Sequence, residues 1–247
     1  MTDALGSRCK LAVLVPSTNT VVQPEMDAMR PEGVTNHLSR IRIPNLPLAS
    51  DEDFRRLVER IVAAQLEAVD SVMSCEPDHL VLGISVETFW GGLEASRKLL
   101  AELAAHTKLG VTGGADACAT AFDALGVRRI AVLTPYHPVG DANVRRFFEE
   151  SGYEVKRVRG LKCASPVLIA HVGEAELRAA AEALDGDDVD AVIQVGTNLA
   201  MAKLAAAMEA ERGKPILAIN ACIYWRALRV NGIADRLDGW GRLLAEY

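Results

Sequence analysis

Four short polar turns stand out as places where this chain could do chemistry. The first is PSTNT at 16–20. Its hydroxyls and amide could cap a helix, or bind an anion together with backbone N–H groups at the helix start. The second is GISVETFWGG at 83–92. There Gly83 lets the backbone approach a ligand closely, and Ser85 with its neighbouring N–H groups could hold an oxyanion. Glu87 could serve as a base, or be an ordinary first-turn helix residue favoured by the dipole. The third is TPYHP at 134–138. It places the Tyr136 phenol at a strand end, where a neutral donor suits a carboxylate or a developing oxyanion. His137 beside it reads as an exposed loop histidine. The fourth, GTN at 196–198, offers N–H groups at a helix start with the side chains of Thr197 and Asn198.

The elements that carry these turns follow from periodicity. Apolar runs predict strands at 10–15, 38–43, 79–84, 110–112, 129–134, 154–158, 191–195 and 216–219. Amphipathic patterns predict helices at 54–75, 93–106, 115–125, 142–151, 174–184, 198–211 and 223–229. Strand followed by helix, repeated, means parallel strands joined by crossovers. Unbroken Val/Leu/Ile character fits sheets covered on both faces. The chain also repeats itself. LAVLVPS at 11–17 resembles IAVLTPY at 130–136, a spacing of 119 (130 less 11). LVLGIS at 80–85 lines up with AVIQVG at 191–196, a spacing of 111 (191 less 80). The expected fold class is therefore α/β, with two Rossmann-like parallel-sheet halves related by pseudo-twofold symmetry. The halves are 1–113, closed by the C-terminal helix, and 114–247. Ligands of open parallel sheets bind beyond the carboxyl ends of the strands, so all four turns should meet in one cleft between the halves.

Composition narrows the partners. The net charge is −6 with no long basic run, which argues against nucleic acid. No stretch of about 18 apolar residues is present, so no membrane partner is expected. The N-terminal MTDALGSRCK has no apolar core of a signal peptide. The five cysteines, Cys9, Cys75, Cys118, Cys163 and Cys222, are dispersed without CxxC spacing. Such a pattern suggests reduced structural thiols in a cytoplasmic protein. The five histidines form no HxH or HxxxH pair, so no metal site is expected. Neither a GxxxxGK[ST] nor a GxGxxG motif follows a strand. The alanine-rich helices leave both a core role and a homo-oligomer interface open.

VPSTNT, GIS, TPY and VGTNL, in this order and spacing, resemble the aspartate/glutamate racemase superfamily. The branch they resemble is that of maleate cis-trans isomerases and arylmalonate decarboxylases. The resemblance covers nearly the whole chain and implies no cofactor. It implies that Asn19, Ser85, Tyr136 and Thr197 grip a substrate carboxylate. Ser17, Gly83, Ile84, Gly196 and Asn198 belong to the expected binding site, and Glu87 joins Tyr136 and Ser85 as an expected catalytic residue. The superfamily's two catalytic cysteine positions fall, by this resemblance, at Gly83 and Gly196. The isomerases' asparagine near Pro166 is missing.

The expected function is a cofactor-independent enzyme acting on a small mono- or dicarboxylate through a stabilised enediolate, with decarboxylation first among reaction types. A maleate-type isomerase, a hydrolase using Glu87 to activate water, and a non-catalytic carboxylate-binding homologue remain open alternatives.

Overall fold

In a computed structural model, residues 3–247 fold around two four-stranded parallel sheets. The first sheet contains β1 (Cys9–Pro16), β2 (Val34–Ile41), β3 (His79–Leu82) and β4 (Gly110–Thr112), in the order β2-β1-β3-β4. The second contains β5 (Arg129–Thr134), β6 (Glu154–Gly160), β7 (Ala191–Gln194) and β8 (Ile216–Ala218), in the order β6-β5-β7-β8. The two orders are the same under exchange of each strand for its counterpart four later. The internal repeat is thus a repeat of topology.

The register corrects the second repeat spacing. Leu11 pairs with His79 in the first sheet, and its counterpart Ile130 pairs with Ala191 in the second. Counterparts on β3 and β7 are therefore 112 apart (191 less 79), not 111. Ser85 corresponds to Thr197, and Ile84 to Gly196. Gly83 corresponds to Val195, so Gly83 and Gly196 are not equivalent positions.

Several strand boundaries differ from expectation by a few residues, and the differences at β2, β3 and β7 have physical reasons. β2 begins at Val34 and not at 38, because its first half is polar. It lies at the sheet edge, where Thr35, Asn36 and His37 stay partly exposed. β3 and β7 each stop earlier than expected, at Leu82 and Gln194, where the chain turns out of the sheet.

The helices that matter to the site are α1 (Val22–Ala28), α2 (Asp51–Met73) and α3 (Val86–Phe89). After α4 (Gly92–Thr107) and α5 (Gly114–Leu125) come α6 (Pro138–Glu150), α7 (Glu174–Glu182) and α8 (Ala202–Arg212). The chain ends with α9 (Ile219–Val230) and α10 (Arg242–Glu246). The sequence does not announce α1, α3 or α10, which are too short to show a period. α2 starts at an N-cap, where the Ser50 hydroxyl accepts from the Asp53 N–H at 3.1 Å. α9 packs on α5, α1, β3 and β4, which brings the C-terminal part of the chain onto the first sheet. Among the described residues, no helix is long and apolar enough to cross a membrane.

At the end of β3 the chain passes close to β1. A Cβ on Gly83 would lie 2.7 Å from Val15 Cγ1 and 2.9 Å from both the Leu14 carbonyl oxygen and Val22 Cγ1. One of these neighbours is backbone, so the strand must shift. Gly83→Ala should destabilise the protein by about 1–3 kcal/mol, as overpacking does. A lower urea midpoint with an unchanged slope is the expected result; an unchanged midpoint would show that the strands separate freely here.

Candidate functional site

The four strand-end turns converge on one open cleft, with about 480 Å³ of empty space counted out to its solvent-filled mouth. Asn19, Ile84, Ser85, Tyr136, Gly196, Thr197 and Asn198, all expected at the site, line it. The turns are tied together across the halves. Asn19 Nδ2 donates to Thr197 Oγ1 at 3.3 Å, and the Thr20 N–H to Asn198 Oδ1 at 2.9 Å. Asn198 Nδ2 in turn donates to the Pro166 carbonyl at 3.0 Å. Ser85 Oγ and the Tyr136 hydroxyl are 2.6 Å apart. The Thr197 N–H reaches Ser85 Oγ at 3.4 Å.

Counting hydrogens shows what this cluster offers. Ser85, Tyr136 and Thr197 carry three hydroxyl hydrogens. One is spent on the Ser85–Tyr136 bond. The Thr197 oxygen accepts from Asn19, so its own hydrogen is not used there. Two hydroxyl hydrogens are left for a ligand. Burial pushes the Tyr136 phenol well above its usual pKa, despite the opposing hydrogen bond from Ser85. It therefore stays a neutral donor at physiological pH.

The rest of the lining is apolar. α2 contributes Phe54, Leu57 and Ile61 from one helical stripe, Ile43 comes from the loop after β2, and Ile169 from a short 3-10 turn (Leu168–His171) in the second half. The rings of Phe54 and Tyr136 pack 5.3 Å apart. No lining residue is charged and none is a cysteine. Electrostatic interactions made here are weakly screened. Sequence reasoning missed this wall because it searched only strand ends. The signal was present in the apolar spacing of 54, 57, 58 and 61 on α2, which reads equally well as ordinary core.

Several expected site residues stand elsewhere. Ser17 is exposed, and its hydroxyl is engaged with the backbone of Ile43, 3.0 Å from both N–H and carbonyl oxygen. It closes the loop after β2 and does not line the cleft. Gly83 lies under the turn, against β1. The first turn does not present a free helix start either. Asn19 Oδ1 accepts from the N–H groups of Val21 and Val22, so the capping role wins there. Gly196 is required by backbone conformation: its φ is +115°, and a Cβ would collide with Pro135. His137 is buried, not exposed, with Nε2 unpartnered, and its ring packs 6.2 Å from Phe54. The five thiols are free, and all but Cys75 are buried.

Glu87 is also outside the lining. It is 4% exposed and neither carboxyl oxygen has a partner among the described residues. Burial pushes its carboxyl up to about 8. In the unfolded chain the group titrates near its ordinary value, about 4.3. Between these two values the folded state holds a proton that the unfolded state has released. Glu87 therefore makes stability fall as pH rises through this window. Glu87→Gln should remove that slope. The variant should gain on the wild type between pH 5 and pH 8, by an amount on the order of a few kcal/mol at most. A constant difference in melting temperature across this range would mean that Glu87 is ionised in the folded protein.

The family model for arylmalonate decarboxylase matches residues 11–244. A maleate isomerase of Pseudomonas putida is 24% identical over 249 residues, covering 96% of this chain and 97% of that protein. A maleate isomerase of Nocardia farcinica is 26% identical over 247 residues, covering 96% of each. A solved structure of the Nocardia farcinica maleate cis-trans isomerase, with a covalently bound succinylcysteine intermediate, superposes with a TM-score of 0.88 at 24% identity. That match covers 97% of this chain and 99% of the other. Arylmalonate decarboxylase in a liganded form superposes with a TM-score of 0.82 at 20% identity, covering 96% and 99%. On the match of the family model over almost its whole length, the chain belongs to the arylmalonate decarboxylase family.

Proposed function

We propose that the protein is a cofactor-independent decarboxylase of a small malonate-type acid that carries an apolar substituent. The observation that carries this reading is the pairing of free hydroxyl hydrogens with an uncharged, thiol-free apolar wall. One carboxylate would accept from the Tyr136–Ser85 pair and from the Thr197 hydroxyl. The other would lie against Ile84, Val86 and Phe54, where its charge is poorly solvated. Breaking the bond between that carboxylate and the central carbon releases CO2. The electron pair moves into the held carboxylate and makes an enediolate. The donors then tighten, because negative charge grows on the oxygens they face. A proton delivered to the central carbon, from this hydroxyl cluster or from water at the open mouth, completes the product monocarboxylate. Glu87 is kept out of direct contact with substrate in this scheme.

Cis-trans isomerisation of a maleate-like diacid is the second reading. It is favoured by the curated relatives, which are named maleate isomerases and match over 96% of this chain. The solved relative carries its intermediate on a cysteine, whereas no cysteine lines this cleft, and that counts against it. Incubating the purified protein with phenylmalonate and with maleate separates the two. The proposal expects CO2 and phenylacetate from the first and no fumarate from the second. Thiol alkylation should leave turnover within about tenfold, because no step uses a thiol. Tyr136→Phe keeps the ring packing and removes one donor, so kcat/KM should fall by about 10²–10³. Fumarate formation that alkylation abolishes would replace this reading with the second.

A further inference from the structure

The Thr197 turn is also held from behind, by residues that never reach the cleft. We infer that Glu25 and Asn220 are a positioning pair: together they set the orientation of the Thr197 peptide and hence the donors it presents to a carboxylate. This rests on the carboxylate-binding reading of the cleft. Glu25 sits on α1 of the first half, half-buried against the second. Its Oε1 accepts from the N–H of Ala202, the first residue of α8, at 3.0 Å. Its Oε2 accepts from Asn220 Nδ2 at 2.6 Å. The other hydrogen of that same amide goes to the Thr197 carbonyl at 3.0 Å. One carboxylate thus fixes the start of α8 and, through one amide, the turn that precedes it.

Asn220 is 1% exposed and its Oδ1 is buried without a partner. A buried unsatisfied carbonyl is costly, and an apolar residue at this place in α9 would avoid the loss. The amide cannot be turned over to relieve it, because its oxygen would then face the Glu25 carboxylate and the Thr197 carbonyl. Only the two donated bonds use this side chain. Their effect on the site follows from planarity: anchoring the Thr197 carbonyl aims the Asn198 N–H the opposite way, away from Asn220. Asn19, which leads into α1, grips the Thr197 hydroxyl oxygen from the other side. Thr197 is thus held by its hydroxyl and its carbonyl at once, and both tethers lead back to α1.

The test exchanges donor and acceptor. Glu25→Gln leaves one acceptor for two donors, so its NH2 group must face either the Ala202 N–H or the Asn220 NH2; Asn220→Asp puts two carboxylates together and removes the hydrogen given to the Thr197 carbonyl. In the double variant the new amide on α1 donates to the new carboxylate on α9, restoring the link between the two side chains. That carboxylate, however, has no hydrogen for the Thr197 carbonyl. Melting temperature and calorimetric binding of phenylacetate would be measured for all four proteins. We expect each single variant to melt lower and to bind at least tenfold more weakly. The double variant should recover melting temperature without recovering affinity. Recovery of both in the double variant would show a structural clamp only, and wild-type affinity in Asn220→Asp would overturn the inference outright.

If the wild type binds no phenylacetate, the reading of the cleft is wrong. The positioning pair is then judged by the backbone amide NMR signals of Thr197 and Asn198 in the ligand-free proteins. They should shift in Asn220→Asp and stay shifted in the double variant; signals at wild-type positions refute it. Glu25→Asp, which keeps the charge and shortens the reach, takes the same measurements if the exchange variants do not fold.

Discussion

The hydroxyls of Ser85 and Tyr136 meet 2.6 Å apart, one carried by the turn after β3 and the other by the turn after β5. Each comes from a different sheet, so the contact exists only when the two halves stand in one relation to each other. Around it the Thr197 N–H, the Asn19 amide and the Asn198 side chain make further bonds between turns of opposite halves. A cleft built this way is pre-organised. The donors do not need to be gathered by the ligand, and little reorganisation is required when charge develops on it.

The cleft holds no charged side chain, and this decides how it can treat an anion. Neutral hydroxyl donors in a weakly screened pocket act on an anion through hydrogen bonds, not through a net opposite charge. The apolar stripe of α2, with Phe54, Leu57 and Ile61, forms one wall and adds no charged group of its own.

Polar groups buried behind the cleft carry a real energetic penalty. Neither oxygen of Glu87 has a partner, and the same is true of Asn220 Oδ1 and His137 Nε2. All three residues belong to segments that shape the site: α3 after Ser85, α9 behind Thr197, and the cap of α6 beside Tyr136. Glu87 is the clearest case, since burial keeps its carboxyl protonated near neutrality. Such groups are expected where stability has yielded to geometry.

Much of this was legible in one dimension. Buried parallel strands are continuous apolar runs, so the central strands of both sheets could be read directly, as could the polar residues at their ends; the edge strands β2 and β6 are partly polar and only their more apolar stretches showed. A strand end is a local feature, and Tyr136 after Pro135 or Thr197 after Gly196 stands at one whatever the rest of the chain does. What only the tertiary structure decided is which of those residues line the cleft. Ser17 and Asn19 are two apart in the same turn, yet Ser17 bonds to the Ile43 backbone while Asn19 reaches Thr197. The register of the paired strands makes Ser85 the counterpart of Thr197, and the two residues meet directly, Thr197 N–H to Ser85 Oγ. Phe54 and Glu25 acquire their roles only through contacts more than 80 residues away along the chain. Side-chain direction at a turn depends on backbone dihedrals and on distant packing partners, and neither is written in the local sequence that carries the residue.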